Sequence, residues 1–122
     1  MNQFPKIALN ATATLVTVEY SGHITAEGMR AHAVEADGLG AKLKPGFIVL
    51  TDLSKLDTMD ADCAPLISRV MDQFNRLGVG RLIRVIPDPK KDIGLGILTR
   101  FHYKRGIAVN TVTTMAEAQR LL

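Results

Sequence analysis

Apolar residues recur along the chain with two different spacings, and the order of the segments that show each spacing predicts an α/β fold. Short apolar or β-branched runs are typical of strands, whereas apolar residues three or four positions apart indicate helices. The segments that we interpret as strands are 6–9, 14–20, 47–53, 81–87 and 106–112. The predicted helices cover 26–37, 61–77, 90–104 and a terminal segment that follows Thr114 and ends at Leu121 and Leu122.

Two of the predicted strands have distinct patterns. Residues 14–20, TLVTVEY, alternate from side to side and suggest an opening hairpin with 6–9, which ends at Ser21-Gly22. Residues 47–53, FIVLTDL, contain four consecutive apolar positions, which indicates a central strand covered on both faces. A loop over 54–59 is predicted to follow this central strand.

Local signals mark the ends of the helices. Thr25 has the side chain of an N-cap, and the helix after it would turn Met29, Ala33 and Ala36 inward. Gly78 stands where a left-handed C-cap belongs, and Thr114 with Glu117 forms a capping box. The second helix carries its apolar stripe at Cys63, Ile67, Val70, Phe74 and Leu77.

The third predicted helix, 90–104, is intrinsically weak. Gly94 and Gly96 each cost about 1 kcal/mol relative to alanine. An apolar helix that contains two glycines could open over a pocket or lie against a second subunit. Close packing against the sheet explains the two glycines more simply.

The resulting order, β-β-α-β-α-β-α-β-α, predicts the fold class. Strands that alternate with helices need crossover connections, which give a mostly parallel sheet. We therefore expect an α/β protein in which residues 1–122 form a single domain, with four to five strands, an opening β-hairpin and about four helices.

Composition narrows the class of protein. The apolar fraction of 47% and the charged fraction of 22% are typical of a globular chain in water, and no apolar run reaches the roughly 18–20 residues of a membrane span. The N-terminus is a poor secretory signal, and one cysteine cannot form an internal disulfide. We expect a cytoplasmic protein without integral membrane association.

The net charge of +3 is unevenly distributed. Acids dominate 52–62, and bases gather in 81–105, including the run RFHYKR at 100–105. A basic run of this kind could meet phosphates, but the solvated face and last turn of a helix explain it better. No nucleic-acid partner is predicted.

Four aspartates, Asp52, Asp57, Asp60 and Asp62, raise the question of a chemical centre. Either Asp60 or Asp62 would serve as the cap of the helix that follows, with Pro65 in its first turn. The motif Asp60-Ala-Asp62 lies too far from the preceding strand to be the Asp-x-Asp motif of a haloacid-dehalogenase-like phosphatase. A phospho-accepting receiver domain would need further acids after its first strand. We predict no metal site, no cofactor and no catalytic residue.

Cys63 and the histidines are also assigned no chemistry. Cys63 begins the apolar stripe of its helix, so a buried and inert thiol is expected rather than a nucleophile, which the neighbouring carboxylates would also disfavour. His23, His32 and His102 show no spacing that links them to Cys63, and we interpret each as a surface residue.

The segment FIVLTDLSKL, followed by a short loop and an aspartate that starts a helix, resembles the STAS superfamily of anti-sigma-factor antagonists. Asp52-Leu53 matches the end of the buried strand in that family, and Asp60 matches the first position of its Asp-Ser-Ser-Gly loop. Here Ala61-Asp62-Cys63 replaces Ser-Ser-Gly, and Asp62 stands at the serine that is phosphorylated in signalling members. The sequence is most similar to the SpoIIAA-like branch, which keeps the architecture without the serines.

The resemblance leaves two functional hypotheses. The first is a non-enzymatic regulatory module that presents Asp57, Asp60, Asp62 and helix 61–77 to a protein partner, with Asp62 either a fixed mimic of phosphoserine or only a helix cap. The alternative is a carrier of a lipid or another small apolar molecule in a cleft under helix 90–104, where Arg100, Lys104 and Arg105 would hold an anionic head group. A homodimer is compatible with either hypothesis, and an enzyme ranks third.

Overall fold

A mixed sheet of five strands runs through the computed structural model, which describes residues 5–92 and 107–122. The strands lie side by side in chain order: β1 (Lys6–Leu9), β2 (Leu15–Ile24), β3 (Ile48–Met59), β4 (Arg81–Val85) and β5 (Ala108–Val112). β1 pairs with β2 in the antiparallel sense, and the remaining pairs are parallel. The predicted α/β class, opening hairpin and mostly parallel sheet are confirmed, with β3 in the central position.

Three α-helices connect or follow these strands in the described part of the chain: α1 (Ala26–Asp37), α2 (Ala64–Leu77) and α3 (Met115–Arg120). Short 3-10 turns cover Ala61–Cys63 and Pro89–Asp92. Most of the predicted helix 90–104 lies outside the described residues. None of the helices within 5–92 and 107–122 is long and apolar enough to cross a bilayer.

The predicted helix ends are confirmed at three positions. The Thr25 hydroxyl accepts a hydrogen bond from the Gly28 N–H at 3.0 Å and opens α1. Thr114 accepts from the Glu117 N–H at 3.1 Å and opens α3. Gly78 ends α2 with φ +93°, a left-handed conformation in which a side chain would be strained.

The predicted loop at 54–59 and the predicted end of β2 at Ser21-Gly22 are both wrong. β2 and β3 continue beyond the other strands as a two-stranded parallel extension, in which Ser21 pairs with Lys55 and His23 pairs with Thr58. Two register shifts accommodate the small and polar residues of this stretch. Ile24 and Leu56, both buried, fix the extension to the core, so packing outweighs the turn signal of the sequence.

Apolar side chains cover both faces of the sheet. The larger cluster lies between the sheet and the pair α1 and α2, and it includes Met29, Ala33 and Ala36, which are fully buried as predicted. The smaller cluster joins Leu50, Ile83, Val85 and Ala118 on the face that α3 covers. His32 is also fully buried, so its interpretation as a surface residue is wrong.

Candidate functional site

The acidic turn, which we define as residues 57–62, consists of the last three residues of the central strand β3 and the residues that lead from it into α2. Asp57 and Asp62 are exposed, and the Asp60 side chain keeps 43% of its surface exposed. Ligands of open α/β sheets commonly bind outside the carboxyl ends of the strands. Asp52 does not belong to this surface, because it is 7% exposed and accepts the Ser54 N–H at 2.9 Å.

A chain of hydrogen bonds holds the acidic turn to its neighbours. The His23 ring joins the Thr58 hydroxyl at Nδ1, over 2.6 Å, and the Asp60 carboxylate at Nε2, over 2.9 Å. The second oxygen of Asp60 accepts the N–H of Ala26, the first residue of α1, at 3.2 Å. Asp60 therefore connects the end of β3 with β2 and with the start of α1.

Of the two predicted caps, Asp60 and Asp62, Asp60 occupies the N-cap position of the 3-10 turn, but its side chain makes no capping hydrogen bond. Cys63 occupies the N-cap position of α2, and its side chain makes none either. The carboxylate of Asp60 is used at the N-terminus of α1 instead, where it accepts an N–H that the helix leaves unpaired. Asp62 lies in the first turn, where a negative charge is favourable, and its side chain is exposed.

Cys63 is buried beneath the turn, as predicted. Its Sγ lies 3.8 Å from the carbonyl oxygen of Ile24 and has no exposed surface. Burial raises the pKa of the Cys63 thiol, and the negative charges of Asp60 and Asp62 raise it further. The thiol is therefore protonated at neutral pH and poorly suited to nucleophilic attack.

Sequence reasoning missed His23 and Thr58 as parts of this region. They are 35 positions apart, and they meet only because β2 and β3 extend past the predicted turns. A hydroxyl, an imidazole and a carboxylate joined in this order by hydrogen bonds also occur in nucleophilic triads. Here the carboxylate also binds the backbone of α1, so the arrangement joins three elements of the fold.

The remaining predictions concern a metal site and the basic residues of 100–105. Within 5–92 and 107–122, no group of three or more His, Cys, Asp or Glu side chains is arranged to hold a metal ion. Arg100, Lys104, Arg105 and His102 lie outside those ranges. The proposed head-group site under helix 90–104 therefore stays a prediction.

Solved structures of known proteins share this architecture. An uncharacterized protein of the DUF3478 family with a SpoIIAA-like fold, from Shewanella loihica PV-4, has a TM-score of 0.70 and 13% identity over 97% of this chain and 91% of its own. The anti-sigma factor antagonist SpoIIAA in its unphosphorylated form has a TM-score of 0.58 and 19% identity over 96% of each chain. The Bacillus cell fate determinant SpoIIAA in its phosphorylated form has a TM-score of 0.58 and 17% identity over 97% and 99%.

No protein-family model and no curated protein matches the sequence. At identities of 13–19% the likeness to the solved structures concerns the fold, and it extends over nearly the whole chain. The resemblance to the STAS superfamily is confirmed at that level: the chain has a SpoIIAA-like fold.

Proposed function

We propose that this chain is a regulatory protein-interaction module of STAS type, which binds a protein partner through the acidic turn and the first residues of α2 and carries out no reaction itself. The observation that supports this proposal is the pair of exposed carboxylates, Asp57 and Asp62, on a turn that hydrogen bonds hold at the end of the central strand. An exposed carboxylate pair suits recognition of a basic surface.

The turn is pre-organised for binding. His23, Asp60 and the backbone of Ala26 connect three elements around it, so little conformational freedom remains to be lost when a partner docks. Ala61, Ala64 and Pro65 are exposed beside Asp62. Their short side chains would let a partner approach the backbone closely while the carboxylates select its charge.

The charge of this surface would be permanent. SpoIIAA is described as an anti-sigma factor antagonist with an unphosphorylated and a phosphorylated form. In the present chain the STAS resemblance assigns Asp62 to the position of the phosphorylated serine, and an aspartate carries about half the charge of a phosphoserine. We infer a module whose binding is not switched by phosphorylation at that position.

A quantitative pull-down from the source cell tests the proposal. The bait carries Asp57→Lys and Asp62→Lys, and Asp60 is left intact because its carboxylate holds the fold together. The matched control carries Glu27→Lys and Glu35→Lys, which change the charge by the same amount on the exposed side of α1.

We expect one specific partner to be captured by the wild type and the control and to be lost with the turn variant. Purified partner would then bind the wild type with an affinity that falls as salt is raised, because the contact is electrostatic. An unchanged set of captured proteins for the turn variant would contradict the acidic turn as the contact surface.

A further inference from the structure

A cavity of about 40 Å³ lies between the sheet and the pair α1 and α2, on the face that carries the larger apolar cluster. A water molecule needs roughly 10–15 Å³ on the same scale, so a few non-hydrogen atoms fit. Strands β2, β3 and β4 form its floor, α2 forms most of its roof, and α1 contributes His32. Its apolar lining consists of Val18, Val49, Ile67, Val70, Met71, Phe74 and Leu82.

Four polar side chains also line this apolar cavity: Tyr20, His32, Thr51 and Arg84. Val18, Thr51 and Arg84 occupy paired positions across β2, β3 and β4, so the hydroxyl and the guanidinium start from neighbouring strands. Thr51 is only half-buried although it belongs to the central strand. Thr51 is therefore less completely covered than Val49 and Leu82, which line the same cavity.

His32 is the observation that points to a ligand. It is fully buried, and among the residues that the structure describes neither ring nitrogen has a hydrogen-bond partner. Its ring packs edge-on against Tyr20, with 6.3 Å between the ring centroids. Buried polar atoms are nearly always hydrogen-bonded, and an unpaired one opposes folding unless something else satisfies it.

We propose that this cavity binds a short-chain carboxylate, with its oxygens among Arg84, His32 and the hydroxyls of Tyr20 and Thr51 and its apolar part against α2. All four polar groups can donate hydrogen bonds, which matches a group that has two acceptor oxygens. Arg84 supplies the positive charge, and it is 9% exposed. It has an interaction within the protein, but a guanidinium offers five donors and can serve a second partner.

This site is separate from the acidic turn. It uses residues of α1, α2 and the strands, and none of Asp57, Asp60 or Asp62 lines it. Its test therefore does not depend on the proposed protein partner, and either proposal could fail alone.

The test is an NMR titration of protein with isotope-labelled histidine, using sodium acetate at neutral pH. Matched titrations use ethanol, which lacks the carboxylate, and sodium chloride, which supplies the ionic strength. Arg84→Met removes the charge at the cavity, and Arg81→Met is the control, because Arg81 lies on the same strand but donates to the Leu121 carbonyl on the opposite face. Thr51→Leu fills the cavity and keeps Arg84, in case the arginine variant does not fold.

We expect acetate to shift the His32 ring signals with saturation. Ethanol should bind the wild type about tenfold more weakly than acetate does, and Arg84→Met should bind acetate about tenfold more weakly than the wild type does, because each lacks a charge-assisted hydrogen bond. Arg81→Met should bind as the wild type does, and Thr51→Leu should abolish the shift. The proposal is overturned if acetate leaves His32 unchanged in the folded protein, if ethanol binds as tightly, or if the folded Arg84→Met or Thr51→Leu variant keeps the wild-type affinity.

Discussion

At the scale of single residues, burial favours the neutral form of three titratable side chains. It lowers the pKa of His32 to about 4 and raises the pKa values of Tyr20 and Cys63. The direction differs because the charged form is the protonated one for histidine and the deprotonated one for tyrosine and cysteine. The core around α1 and α2 therefore contains polar atoms without charge, and its stability depends on pH through His32.

Acidification is expected to destabilise the protein through His32. Since its pKa is 6.5 in an exposed state and about 4 in the fold, the unfolded chain takes up the proton first, and stability is lost as pH falls from 6.5 towards 4. The free energy of unfolding should drop by about 2–3 kcal/mol between about pH 7 and about pH 4.5. Urea unfolding measures this difference.

The control for that prediction is His32→Phe. It keeps a ring against Tyr20 and removes both unpaired nitrogens, so it should be at least as stable as the wild type at pH 7. Glu19 and Glu117 also have lowered pKa values, and their contribution is common to both proteins. Parallel pH curves for wild type and variant would show that His32 does not carry the effect.

The sequence held the signal for His32, although we interpreted the residue as exposed. Positions 29, 32, 33 and 36 follow the helical period of the buried face, and the periodicity predicts burial at 32 as firmly as at 33. Residue type argued the other way, because histidine is more often found at least partly exposed. At this site periodicity predicted burial correctly, and the preference of the residue type did not.

At the scale of elements, helix ends were predictable and the strand extension was not. Thr25, Gly78 and Thr114 act through backbone atoms within a few residues of themselves, so sequence alone contains their partners. The pairing of Ser21–Ile24 with Lys55–Met59 depends on residues more than thirty positions apart. Nothing local to Ser21-Gly22 indicates that a second strand is available there to accept its hydrogen bonds.

Asp60 and Asp62 should differ sharply in their effect on stability. Asp60→Ala leaves the His23 ring and the Ala26 N–H without their carboxylate partner, and we expect a loss of about 1–3 kcal/mol. Asp62→Ala removes an exposed first-turn charge and should cost less than about 1 kcal/mol. Urea unfolding of the two variants measures both values, and equal losses would contradict the connecting role of Asp60.

The connection between α2 and β4 should tolerate no side chain at Gly80. A Cβ there would lie 2.7 Å from the carbonyl oxygen of Gly46, and the Gly80 N–H is bonded to the Phe47 carbonyl at 2.8 Å, so the backbone cannot move away freely. Gly80→Ala is expected to destabilise the fold by about 1–3 kcal/mol.

Gly38→Ala is the matched control for that change. Gly38 follows α1 with φ −79°, and a Cβ would meet its nearest atom at an ordinary 3.4 Å. Its substitution should be neutral or stabilising by up to about 1 kcal/mol, because alanine restricts the unfolded chain. Thermal unfolding compares the two variants, and similar midpoints would indicate that the Gly46–Gly80 contact is loose.

At the scale of the whole molecule, the order of elements predicted the sheet but not the cavity on one of its faces. Strands separated by helices can be joined only by crossovers, so the parallel sheet and the central position of β3 followed from the pattern. The cavity beneath α1 and α2 did not, because it depends on how side chains from five elements fail to fill the space between them. Packing of that kind has no signature in residue spacing.

The two faces of the sheet should unfold together. β3 and β4 contribute side chains to both apolar clusters, with Val49 and Leu82 on one face and Leu50 and Ile83 on the other. Ala118→Asp places a carboxylate in a fully buried position of the α3 face, which we expect to cost several kcal/mol and to lower the urea midpoint strongly.

The decisive measurement is which helices of this variant open faster than those of the wild type. Amide hydrogen exchange should report faster opening of α1 and α2, on the opposite face, by the same factor as of α3. Acceleration confined to α3 and β5 would instead show that the 107–122 segment opens as a separate unit, contrary to the single domain inferred from the sequence.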